Sequence, residues 1–201
     1  MPRRTPPARL LALLVAASAA PAGAPADAAE GVPKVALSEQ HRAMCRVGVG
    51  DPMPLLGDGA PLLKTPNGDP QPLGPLLGKR ATLVVFYTPP KQAAAGWMTR
   101  MLLADLGPDV AQRFGAAGVA VVAIATGGPP PPAEGYYSLV DPDGAALATV
   151  AAQAEGRSKL PRLYLLDSAG KIRWLDIEYA MSTRRELRQA LTALTAEPVA
   201  E

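Results

Sequence analysis

A mixed α/β sandwich, with a central sheet flanked by helices, is predicted on three observations. Two continuous apolar runs, Thr82-Leu-Val-Val-Phe-Tyr87 and Val119-Ala-Val-Val-Ala-Ile-Ala125, have the length and β-branched content of strands buried on both faces. An amphipathic helical pattern separates them, and two adjacent buried strands joined through a helix pair in parallel by a right-handed crossover. Farther on, Arg162-Leu-Tyr-Leu-Leu166 and Lys171-Ile-Arg-Trp-Leu175 flank Asp167-Ser-Ala-Gly170 as an antiparallel hairpin, and a helix follows. Hydrophobic residues are 48% of the 201 and charged residues 19%, enough apolar material for one packed core.

Residues 1–28 have the layout of a secretory signal peptide. Arg3, Arg4 and Arg9 precede an apolar run from Leu10 to Ala20, and Ala26-Asp-Ala28 offers a cleavage site near Ala28. Such a run is too short to cross a bilayer, and nothing downstream is apolar enough, so a periplasmic or secreted chain with no membrane span is expected. Without those residues the chain carries 17 basic and 17 acidic side chains, which removes the cationic footprint that nucleic acid requires. Residues 29–46 read as an N-terminal extension, 47–195 as the folded domain and 196–201 as a tail.

Within the domain, Leu62-Leu-Lys-Thr-Pro-Asn-Gly68 is a short strand turning at Asn67-Gly68. Leu73 to Leu77 makes a single helical turn before the first long strand. From Ala93 to Leu106, the residues Trp97, Met98, Met101, Leu102 and Leu106 share one helix face, and Gly107-Pro108 is expected to end it. Pro108 and Asp109 then start another turn or two, closing at Gly115 or Gly118. After the second long strand, Gly127-Gly-Pro-Pro-Pro-Pro132 is an exposed stiff connector, or else a polyproline ligand. A strand from Tyr136 to Val140, a turn at Asp141-Pro-Asp-Gly144 and an alanine-rich helix from Ala145 to Ala154 lead to the hairpin. The last helix opens on a capping box, Thr183 with Glu186, and lays Leu187, Leu191 and Leu194 on the sheet.

One cysteine and one histidine limit the chemistry. No intramolecular disulfide and no Cys/His zinc site can be assembled, and a Ser-His-Asp triad would depend on His41, expected in a solvated stretch. Gly127-Gly128 lacks the spacing and lysine of a phosphate loop, and no cofactor or metal is implied. A parallel sheet opens its ligand crevice at a strand-to-helix junction, here Thr88-Pro-Pro-Lys-Gln-Ala-Ala-Ala-Gly-Trp97. That junction contains no cysteine, histidine or carboxylate. Cys45 lies upstream, about one helical turn after Ser38 and flanked by Arg42 and Arg46, as a small, partly covered residue or an accessible thiol.

Four segments, in order, carry a family resemblance: Gly48-Val-Gly-Asp-Pro-Met-Pro54; Asn67-Gly68 and Leu73 leading into Gly78-Lys-Arg-Ala-Thr-Leu-Val-Val-Phe-Tyr87; Gly118 to Ala125; and Leu160-Pro-Arg-Leu-Tyr-Leu-Leu-Asp-Ser-Ala-Gly-Lys-Ile172. Together they resemble the thioredoxin-like superfamily in its redoxin branch, the alkyl hydroperoxide reductase or thiol-specific antioxidant type. The resemblance implies a thioredoxin-like three-layer sandwich over residues 47–195, with Pro161 as a cis-proline facing the active-site loop. It also implies reactive cysteines near Lys91 and Ala94, or one near Ala95. None is present, and neither alanine nor a hydrated lysine replaces a thiolate nucleophile. Two readings follow. One is a non-catalytic exported module that receives an extended peptide or protein partner in the groove between 88–97 and Leu160-Pro161, rimmed by Lys91, Trp97, Arg157, Lys159 and Arg162, although Trp97 also fits the helix core. The other is a thiol-dependent oxidoreductase or antioxidant using Cys45 with an external resolving thiol.

Overall fold

The computed structural model describes residues 31–91, 96–152 and 159–196. Strands β1 (Leu63–Lys64), β2 (Pro70–Gln71), β3 (Ala81–Tyr87), β4 (Val119–Thr126), β5 (Tyr137–Asp141), β6 (Arg162–Asp167) and β7 (Ile172–Asp176) form one mixed sheet. Their order is β2-β1-β5-β4-β3-β6-β7. The two apolar runs are its centre: β3 is buried along its whole length and pairs in parallel with β4, Ala81 opposite Val119 through Tyr87 opposite Ala125. On its other side β3 pairs antiparallel with β6, which forms the expected hairpin with β7.

The pleat sends alternate β3 residues to two separate cores. Leu83, Val85 and Tyr87 face helices α2 (Trp97–Asp105), α3 (Gln112–Phe114) and α5 (Met181–Ala196). Val84 and Phe86 face α4 (Ala145–Val150) and the turn Pro54–Leu56. This is a three-layer α/β sandwich.

Three local expectations change. Gly107-Pro108 does not stop the helix: α2 continues through a π-helical segment, Leu106–Ala111, into α3, and the chain turns away only at Gly118 with φ +87°. The wider π turn accommodates a proline that lacks an N–H. Leu106, Val110 and Phe114 all remain buried across the breaker, so their packing on the sheet outweighs the local cost. The alanine-rich helix is shorter than expected, because Ala151 leaves α4 in extended conformation to bridge Cys45; residues 153–154 lie outside the described residues. The last helix opens at Met181, and Thr183 sits inside its first turn. Thr183 Oγ1 accepts from the Ala180 N–H at 3.2 Å and donates to Asp176 Oδ2 at 2.8 Å, which ties helix to strand instead of capping from outside.

The segment before residue 47 is packed onto the sandwich. Ser38 caps the short helix α1 (Glu39–Ala43), Val32 is buried, and the Arg46 N–H donates to Val150 O at 3.0 Å. Past it, the Gly50 N–H reaches Ile172 O at 2.8 Å and the Met53 N–H reaches Gly170 O at 2.9 Å. These bonds occupy the start of β7, part of an edge that would otherwise invite pairing with another chain. No described helix is long and apolar enough to cross a membrane.

Candidate functional site

β3 and β6 bring the two halves of the expected groove together. Phe86 is opposite Arg162, so Leu160-Pro161 runs beside Tyr87-Thr88 at the C-terminal end of β3. The Leu160–Pro161 peptide is cis. The Tyr87 carbonyl accepts from Thr126 Oγ1 at 3.1 Å, which fixes the strand end from β4. Pro89 is buried and Lys91 exposed; residues 92–95, including the positions at Ala94 and Ala95, lie outside the described residues. Gly96 caps α2 and Trp97 follows.

Trp97 is not core. It is 60% exposed, because the buried stripe of this helix runs through Thr99, Leu102, Leu106 and Val110. That three-to-four spacing excludes position 97. Met181, at the start of α5, is 67% exposed and was not anticipated. Its separation from Leu187 does not fit the Leu187-Leu191-Leu194 stripe, which is the sequence signal that would have marked it.

Arg162 is not on the rim. It is fully buried, with Nε donating to Lys159 O at 3.0 Å, Nη2 to Met44 O at 2.9 Å and Nη1 to Cys45 Sγ at 3.6 Å. Lys159 also turns away from the groove, bonding Glu178; this bond is the main reason that the Glu178 carboxyl is held below its ordinary value. His41 is half-buried, its Nε2 3.0 Å from Lys159 Nζ and 3.7 Å from Glu178, so it is not the solvated residue expected. Leu160 is half-buried against the α4-side core, and Arg157 lies outside the described residues.

Cys45 reaches Arg162 from the far face of the sheet. Its S–H donates to His41 O at 3.4 Å, and it packs against the α4-side core, to which Phe86 and Tyr164 belong, while α2 packs on the opposite side. Phe86 and Tyr164 meet edge-to-face there, with centroids 6.3 Å apart. Burial pushes the Tyr164 phenol up to about 12. The N-terminus of α2, whose dipole would activate a thiol beside it, is therefore separated from Cys45 by the sheet. Among the described residues no cluster of three or more His, Cys, Asp or Glu is placed to hold a metal ion.

No family model and no curated protein matches the chain. Solved structures do. A Bacteroides thetaiotaomicron protein provisionally assigned as a protein disulfide isomerase aligns with a TM-score of 0.59 at 17% identity, over 77% of this chain and 94% of its own. A Chlorobium tepidum protein provisionally assigned as the thiol:disulfide interchange protein DsbE aligns at 0.55 and 19%, over 74% and 99%. Peroxidoxin BcpB of Mycobacterium tuberculosis aligns at 0.54 and 20%, over 76% and 99%. The fold is thioredoxin-like. At such identities the likeness extends to architecture and not to chemistry, which rests on the side chains present. In this thioredoxin-like chain the loop after β3 has no thiol, and the single cysteine lies on the other side of the sheet from α2.

Proposed function

We propose that this chain is an exported thioredoxin-fold binding module that receives an extended polypeptide in the groove between residues 88–97 and Leu160-Pro161, without thiol chemistry at that groove. The exposed indole of Trp97 carries the reading. It stands at the junction where a catalytic relative would need a thiolate, and a large apolar ring left in water gains about 25 cal/mol for each Å² that a partner covers. Two cations expected on the rim are engaged elsewhere, since Arg162 is buried and Lys159 is held by Glu178, while Lys91 stays exposed. Recognition therefore rests on apolar contact and backbone hydrogen bonding along an extended segment. Export rests on the leader-like pattern of residues 1–28. The test is a titration of a Trp174→Phe protein with a panel of unstructured peptides, read by Trp97 fluorescence. A blue shift, with at least tenfold weaker peptide capture after Trp97→Ala, is expected. Capture that is indifferent to Trp97→Ala removes the reading.

The contact between Cys45 Sγ and Arg162 Nη1 favours a second reading, a thiol-dependent peroxidase. The Cys45 thiolate would attack a hydroperoxide, breaking the O–O bond to give a sulfenic acid and an alcohol. An external thiol would then condense with the sulfenic acid, releasing water, and a second would free Cys45 as a disulfide leaves. Peroxide consumption lost in Cys45→Ala supports this second reading; the same absence of turnover in both proteins supports the first.

A further inference from the structure

The outer face of α5 carries a groove that neither reading uses. Its cavity is about 680 Å³ and is lined by Arg113 from α3 and by Arg185, Arg188, Gln189, Ala193 and Ala196 along α5. The spacing of three, four and seven residues places these α5 positions on one helix face. No carboxylate lines the groove among the described residues. The neighbouring Arg184 is different, since it is taken up by Asp105 and Asp109. Three guanidinium groups thus surround one cavity.

Two of the arginines are held in place. Arg113 lies over the Phe114 ring with its Cζ 5.5 Å from the centroid, and Phe114 is buried in the core. Arg188 Nη2 is 3.6 Å from Asp109 Oδ2, which pins one side of its fork and leaves other donors for a ligand. All three cations are arginine, whose planar fork matches a tetrahedral oxyanion two bonds at a time. Ala193 and Ala196 give the groove an apolar part, and its volume is in the range of small-molecule sites and exceeds what a bare anion fills.

We infer that this groove binds a phosphate group attached to a larger body, either a soluble phosphorylated molecule or a lipid headgroup. The inference is independent of the peptide groove, which lies at the end of β3. The full chain is titrated calorimetrically with inorganic pyrophosphate and, separately, co-sedimented with phosphatidylglycerol vesicles, with phosphatidylcholine vesicles as control. Arg113→Gln and Arg185→Gln should each weaken binding about tenfold, the value of one charge-assisted bond, with Tm unchanged in Arg185→Gln and lowered by no more than about 4 °C in Arg113→Gln, which loses the stacking on Phe114. Arg46→Gln removes the same charge elsewhere on the exposed surface and should leave binding intact. Saturable pyrophosphate binding with this arginine dependence identifies a soluble ligand. Vesicle binding alone, with the same dependence, identifies a headgroup. Absence of both, indifference to Arg113→Gln and Arg185→Gln, or an equal loss in Arg46→Gln overturns the inference.

Discussion

Arg162 joins three parts of the chain, and its replacement is the most informative perturbation. The guanidinium is buried and is satisfied by the carbonyls of Lys159 and Met44 and by Cys45 Sγ. Arg162→Ala deletes two hydrogen bonds from a charged donor to carbonyl oxygens, each worth about 1.5–3 kcal/mol, together with the longer contact to Cys45 Sγ, and leaves a cavity between β6 and the N-terminal segment. Two effects oppose this loss. Relief of the buried charge returns part of its desolvation cost, and Met44 O keeps the Ala152 N–H as a donor at 3.0 Å. The balance is a net loss of about 3–4 kcal/mol. For a domain of this size that lowers Tm by roughly 6–16 °C. Arg162→Met restores most of the volume without the charge and should cost about 2 kcal/mol less than Arg162→Ala. Urea unfolding of both variants supplies the two values. Limited proteolysis supplies a second reading, because Met44 loses its tie to β6 and cleavage within residues 31–46 should accelerate. A loss under about 1 kcal/mol in Arg162→Ala, with unchanged proteolysis, would refute the claim that this side chain anchors the N-terminal segment.

Three further outcomes follow from the same packing. Gly78→Ala should prevent folding or cost more than about 4 kcal/mol, because a Cβ there would lie 2.2 Å from Ala81 O and 2.6 Å from both Ala120 N and Gly118 O; soluble yield and circular dichroism check it. Asp141→Ala should cost about 2–4 kcal/mol in urea unfolding, since the buried carboxylate accepts from the N–H groups of Ala146 and Leu147 at 3.1 and 2.9 Å and thereby caps α4. Above pH 10 stability should fall steeply. Burial pushes the Tyr164 phenol up from 10.0 to about 12 and, as the main cause, raises Tyr87 and Tyr179 as well. The unfolded chain loses these protons first, so the stability present below pH 10 is lost as pH rises through the folded values, at up to about 1.4 kcal/mol per pH unit for each tyrosine. Burial raises Tyr136 too; urea midpoints from pH 9 to 11 measure the slope, and Tyr164→Phe should make it shallower.

The parts of the fold that were legible are those whose signal is local. β3 and β4 are covered on both faces, and such a strand is apolar at nearly every position, so the runs 82–87 and 119–125 announced the sheet's centre and its parallel pairing. The misreadings share one cause. Gly107-Pro108 is a breaker by local rules, but Leu106, Val110 and Phe114 continue to bury across it, and tertiary packing outweighs propensity. Trp97 counted as apolar in the helix pattern although the buried stripe runs through Thr99, a polar residue that periodicity overlooks. At the site the distinction is sharper. Arg162 looked like one more cation beside the groove, because the Met44 carbonyl that holds it is 118 residues away in sequence. Lys159 and Glu178 pair for the same non-local reason. The missing thiol in the loop after β3 is a different kind of fact. Tertiary structure can relocate a charge or bury it, but it cannot supply a sulfur that the loop does not encode. Only a thiol from elsewhere could fill that position, and Cys45, the single cysteine in the chain, packs against the α4-side core on the face that α2 does not share. Reaching α2 would require Met44–Arg46 to release the Val150 carbonyl and Ala152 N–H that hold this stretch beside α4, so catalysis at that junction would require either such a displacement or a thiol brought by another molecule.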